Sequence, residues 1–195
     1  SADAEQEASF SKEAKSLLTE AIAISEKRGA AGWSEAISYL NTLGNLLAQQ
    51  ELFNTAVTTF ERAESAINRL RRLLATREQD HARAKAAKLP PFQRMALSAF
   101  VEHVQDDRAL ELVLFSAAQT YMARNHEGDR MRARKLLEDV IHTVPDECAG
   151  PARLALGRLL RMEGNPASAR EVLRSVSHAN LPIEVLPQLA KELVL

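Results

Sequence analysis

Apolar residues recur along this chain at alternating spacings of three and four, the signature of helices that bury one face. Phe10, Ala14, Leu17, Leu18, Ala21 and Ile22 mark a first helix, which ends near Lys27 and Arg28 with Gly29 as its C-terminal cap. A second helix starts around Ser34 as N-cap and runs through Ile37, Leu40, Leu43 and Leu47 to about Gln50. A short polar turn over 49–54 leads into a third, carried by Ala56, Phe60, Ala63, Ile67, Leu70 and Leu74.

No Gly or Pro lies between Asn54 and Lys88, so the third helix is expected to run on to Leu89-Pro90-Pro91. Proline stops it there by removing a backbone donor and crowding the preceding turn. At 1.5 Å per residue its length approaches about 50 Å. The apolar stripe fades after Leu74, where Arg77, His81, Ala84 and Lys88 take over the line, so the second half projects into solvent or meets a partner. Beyond the prolines the pattern predicts a helix over 92–105, an Asp106-Asp107 cap, and a helix from Arg108 to about Asn125. A loop at 125–129 is followed by a helix from Arg130 to about Thr143, stopped at Val144-Pro145. The remaining helices are expected at Gly150 to Met162, Ala167 to Ser177 (after a turn at 163–166), and from Ile183 onward. The fold class is all-α.

Within this pattern one arrangement recurs. Leu40, Leu43, Gly44 and Leu47 precede Ala56, Phe60 and Ala63; Leu156, Gly157 and Leu160 precede Ala169, Leu173 and Val176, with Pro182 soon after. Small residues at the crossing let two helix backbones approach, and large ones fill the space around that contact. This helix-turn-helix unit resembles the tetratricopeptide repeat, a helical hairpin of roughly 34 residues. A weaker third copy has Leu114, Ala118 and Tyr121, then Ala133, Leu137, Val140 and Pro145, with three more residues between its helices than the family uses. The first helix, with Ala14, Leu18 and Ala21, looks like the second half of a hairpin. A generic helical bundle rich in alanine is the competing reading. The resemblance implies antiparallel hairpins stacked as a right-handed solenoid over one domain, 1–195. N-terminal helices and one good repeat fall in 1–74, an irregular long helix and Pro-Pro joint in 75–107, and two repeats with a capping helix in 108–195.

The resemblance also implies a function. Such arrays bind partners in a concave groove lined by the first helix of each hairpin. Carried over by position, that groove presents Asn41, Asn45 and Gln49, then Phe115, Gln119 and Met122, then Leu154, Arg158 and Arg161. Amides can meet both donors and acceptors of a peptide, and two arginines three apart on one face can take a carboxylate. Ordinary solvated polarity accounts equally for any one of them. The expectation is a non-catalytic scaffold or adaptor that binds a peptide or helix of another protein. The clamp by which some members of the family hold acidic C-terminal tails is not expected, because Asn41 stands where a basic residue belongs.

Other chemistry adds two alternatives. Arg69, Arg71, Arg72, Arg77, Arg83, Lys85 and Lys88 outnumber Glu78 and Asp80 along the third helix, which suits RNA phosphates or an acidic partner. That stretch lacks aromatic residues for base stacking, and a solvated helix face explains it as well. Glu102, Asp106, Asp107 and Glu111 offer an acceptor within the chain. Self-association through the long helix or through Val185, Leu186, Leu189, Leu193 and Val194 is the other alternative. Trp33 reads as an interface anchor or as core packing.

Composition fits this picture. The 195 residues are 46% hydrophobic, 26% charged and 5% aromatic, with 25 basic against 26 acidic side chains, so no global pull towards nucleic acid or anionic membrane arises. The seven glycines are isolated, the five histidines scattered, and the one cysteine, Cys148, sits beside Asp146 and Glu147, which disfavour a thiolate. Neither an enzyme activity, a cofactor nor a metal is expected. The first ten residues lack the basic-then-apolar order of a signal peptide and no apolar run suits a membrane span, so no membrane insertion is expected and a cytoplasmic location is weakly favoured.

Overall fold

A computed structural model describes residues 2–86 and 109–176, and among these every regular element is helical. The α-helices are α1 (Ala2–Lys27), α2 (Trp33–Gln49), α3 (Phe53–Ala86), α4 (Ala109–Arg124), α5 (Asp129–Thr143), α6 (Gly150–Met162) and α7 (Pro166–Arg174). Short 3-10 turns occupy Gly29–Gly32 and Asp146–Cys148. The helices expected at 92–105 and from Ile183, the Asp106-Asp107 cap, and Lys88 lie outside the described residues.

Helix α7 ends at Arg174, short of the expected Ser177, and the starts of α1 and α2 differ from the sequence expectation for identifiable reasons. Helix α1 begins at Ala2, well before the first apolar position Phe10, because Ala, Glu and Gln there favour helix without any apolar stripe. Ser34 does not cap α2; Gly32 does, with no side-chain hydrogen bond. Gly32 is packed so tightly on the end of α1 that a Cβ would stand 2.0 Å from the carbonyl oxygen of Ser25. The chain turns there through Gly29, whose φ of +61° is the left-handed cap expected of it. Helix α3 spans 34 residues, about 51 Å.

Three helix pairs follow in chain order: α2 packs on α3, α4 on α5, and α6 on α7. Helix α4 also packs on both α2 and α3, whereas α6 packs on α5 and more lightly on α4. The first and last pairs are each centred on one small-to-large contact. Gly44 faces the ring of Phe60 so closely that a Cβ would lie 2.6 Å from it, and Gly157 faces Leu173 at the same 2.6 Å. In the middle pair Ala118, Ala133 and Leu137, all 0% exposed, stand where Gly44, Ala56 and Phe60 stand in the first.

The three additional residues of the middle pair are shared out: one lengthens the end of α4, one the loop over 125–128, one the start of α5. The hairpin is therefore longer at its tip. The loops of the outer pairs are alike. Leu52 N–H donates to Leu47 and Asn165 N–H to Leu160, with Glu51 (φ +59°) and Gly164 (φ +78°) left-handed, so both helices end in a Schellman motif. Pro166 then opens α7, whose first turn is capped by the Asn165 side chain accepting from Ser168 N–H at 3.2 Å. Before Pro145, Val144 is extended, and α5 stops there as expected.

The buried side chains form one contiguous core from Ile22 on α1 to Ala169 on α7, with Trp33 packed against its edge. Phe60, Ile37, Leu40, Ile67, Leu136 and Leu137 are each at most 1% exposed, and burying such side chains supplies about 1.5–3 kcal/mol apiece.

Candidate partner-binding groove

Taking Gly44, Ala118 and Gly157 as one register point, the same faces of α2, α4 and α6 carry three equivalent sets. Asn41, Phe115 and Leu154 form the first, Asn45, Gln119 and Arg158 the second, and Ala48, Met122 and Arg161 the third. Gln49 thus stands one position off the line that Met122 and Arg161 share, although it is exposed as expected. Leu154 is 4% exposed and is not presented to solvent. Asn41 and Asn45 are half-buried and engage each other, Asn45 Nδ2 donating to Asn41 Oδ1 at 3.2 Å, so part of their capacity is already used. Phe115 and Met122 are half-buried against the core edge and Gln119 is exposed. Arg158 and Arg161 are half-buried, and each has a partner within the chain.

A feature not foreseen from the sequence adjoins this line. A cavity of about 640 Å³ opens between Leu112 and Phe115 of α4, Val140 of α5 with Val144 just beyond it, and Pro151 and Ala152 of α6. Glu111, Thr143, Pro145 and Cys148 complete its wall. Leu112, 58% exposed, lies one turn before Phe115 on the same face. The only sequence signal was this spacing of Leu112, Phe115, Gln119 and Met122; the opposite walls come from elements that only the tertiary fold brings near.

Polar contacts tie the first two hairpins together behind this face. Tyr121 O–H on α4 donates to Glu61 on α3 at 3.1 Å, and Arg132 on α5 pairs with Glu64 at 2.5 Å. Burial first, and then Glu61, pushes the Tyr121 hydroxyl above its ordinary pKa. Arg124 grips Asp129 with two bonds, Nε to Oδ2 at 2.9 Å and Nη2 to Oδ1 at 2.6 Å, and lies 5.4 Å from the Tyr121 ring centre. Asp129, 3% exposed, also accepts the His126 N–H at 2.8 Å; the Arg124 bonds above all hold its carboxyl below the usual carboxylate range, against the opposing effect of burial.

The basic stretch divides along α3. Arg69, Arg72 and Arg77 are exposed; Arg71 is half-buried, its Nη2 enclosed without a hydrogen-bond partner among the described residues. Arg83 and Lys85 belong to α3, but their side chains lie outside what the structure describes. Glu61, Glu64, Ser65, Asn68, Arg69 and Arg72 of α3 line a second groove of about 520 Å³ with Arg132 of α5, so acidic and basic side chains share it. Among the described residues no three His, Cys, Asp or Glu gather as a metal site, and no helix is long and apolar enough to cross a membrane. No protein-family model matches the sequence, and neither a curated protein nor a solved structure matches it.

Proposed function

We propose that this chain is a non-catalytic scaffold of the tetratricopeptide-repeat type, holding a peptide or helix of another protein along the faces of α2, α4 and α6. The observation that carries the reading is one hairpin contact made twice, Gly44 on Phe60 and Gly157 on Leu173, with Ala118, Ala133 and Leu137 buried at the equivalent positions of the middle pair. Hairpins repeated in this way turn the same face of each first helix to one side, and repeat arrays bind through such faces. In this reading Asn41, Asn45, Phe115, Gln119, Met122, Arg158 and Arg161 meet the partner.

The test is affinity capture from native cell extract at low and high salt, with bound protein and nucleic acid both identified. A discrete protein retained at high salt supports the scaffold. Asn45→Ala combined with Arg158→Ala should then weaken its capture about tenfold while the far-ultraviolet circular dichroism stays unchanged. Undiminished capture would remove the groove assignment.

A second reading has its own observation, the exposed Arg69, Arg72 and Arg77 along α3, although Glu61 and Glu64 share the groove that Arg69 and Arg72 line. Binding of RNA phosphates there predicts an affinity that falls steeply with salt, and a salt-independent complex is incompatible with it.

A further inference from the structure

The cavity between α4, α5 and the start of α6 carries the groove reading one step further, and the step rests on that reading. At about 640 Å³ it falls within the roughly 300–1,000 Å³ of sites that enclose a whole small ligand. Its apolar walls are continuous with the groove, because Leu112 and Phe115 share one face of α4 with Gln119 and Met122. Among the described residues, two acidic side chains at or beside its wall stand without a cation. Glu111 lies in the wall, Asp139 stands one turn before the wall residue Thr143, and neither has a cationic partner among the described residues. Asp146, beside Pro145, is answered by Arg153. An apolar hollow with an acidic rim selects an occupant that is apolar at its centre and cationic beside it. A helix presents such anchors from one face at i and i+3 or i+4, which suits a hollow with room for more than one side chain.

We infer that the cavity seats the aliphatic or aromatic anchors of a basic amphipathic helix from a partner protein, with a lysine or arginine beside the anchors meeting Glu111 and Asp139.

Cys148, the only cysteine of the chain, stands in the cavity wall and gives a direct handle. The probe is a displayed library of random helix-length peptides, selected on the intact 195-residue chain. Enriched peptides should carry Leu, Ile, Met or Phe at i and i+3 or i+4 beside Lys or Arg. A synthetic copy should bind about tenfold more weakly, or worse, once Cys148 is alkylated with N-ethylmaleimide. Leu112→Glu, at an exposed position where folding is not at stake, should do the same, and Glu111→Gln should weaken binding and reduce its salt dependence. Peptides that keep their affinity through alkylation and Leu112→Glu, yet lose it with Asn45→Ala or Arg158→Ala, overturn the cavity and leave the groove standing. Peptides insensitive to all four overturn both. An enriched set without basic residues, or no enrichment at all, overturns the cavity proposal. So does a solution mass that rises with concentration and falls back on alkylation, since that seats a second copy of the chain there instead.

Discussion

At position 129 a carboxylate 3% exposed opens α5 and takes three donors, two from Arg124 and one from the His126 backbone. A nearly buried charge is tolerable only while such donors answer it, and removing one side of the pair strands the other. Asn at this position keeps the shape but loses the charge, so Asp129→Asn should cost about 2–3 kcal/mol at neutral pH, read from urea unfolding. The sign of the pH dependence follows from the depressed pKa. The contribution is fully present above the unfolded value of about 4 and is lost as pH falls through the lower folded value, because the unfolded chain takes up the proton first. Wild type and variant should therefore converge in stability as the pH is lowered below about 4. A difference that persists unchanged at low pH would assign the effect to packing alone.

Between elements, the joint of α1 and α2 depends on one absent methyl group. Gly32→Ala would place a Cβ 2.0 Å from the Ser25 carbonyl oxygen, and backbone on both sides would have to move. The expected cost is about 3 kcal/mol or more, with the emission of Trp33, the next residue, shifting as the joint opens. An unchanged melting temperature would show that the two helices separate freely. This contact was illegible in the sequence, where Ser34 offered a better local cap; a close approach between residues seven apart shows only in three dimensions. The helices themselves were legible, because the three-four spacing of Leu40, Leu43, Leu47 and their counterparts sets which face is buried. So were the crossings at Gly44 and Gly157, since small-to-large pairing recurs at one spacing. Of the candidate site, the line of Asn41, Asn45, Phe115 and Gln119 could be read from that register, but the burial of Leu154 and the cavity beside Phe115 could not. Each depends on what the neighbouring elements bring against a face, and periodicity along one helix carries no record of that.

Across the whole molecule, cohesion passes from each helix pair to the next. Helix α4 is held by α2, α3 and α5 together, and the Tyr121–Glu61 and Arg132–Glu64 contacts bind the same two hairpins. Helix α1 is packed chiefly on α2 and leaves Phe10, Leu17 and Ile24 more than half exposed. Stability in such stacks is approximately a sum of neighbour terms. Amide exchange should therefore be slowest in α4 and the first half of α3, and at least about tenfold faster in α1. Equal protection throughout would mean that the chain opens as a single unit. The middle hairpin shows what this arrangement permits. Its three additional residues all lie on the tip side of Ala118 and Ala133, so the crossing keeps its phase while the end reaches outward. The hairpin behaves as a ruler read from its crossing rather than from its ends. The tip at Asn125 to Gly128 is consequently where this chain can be lengthened without shifting the phase of the crossing, provided the His126 N–H that Asp129 accepts is kept.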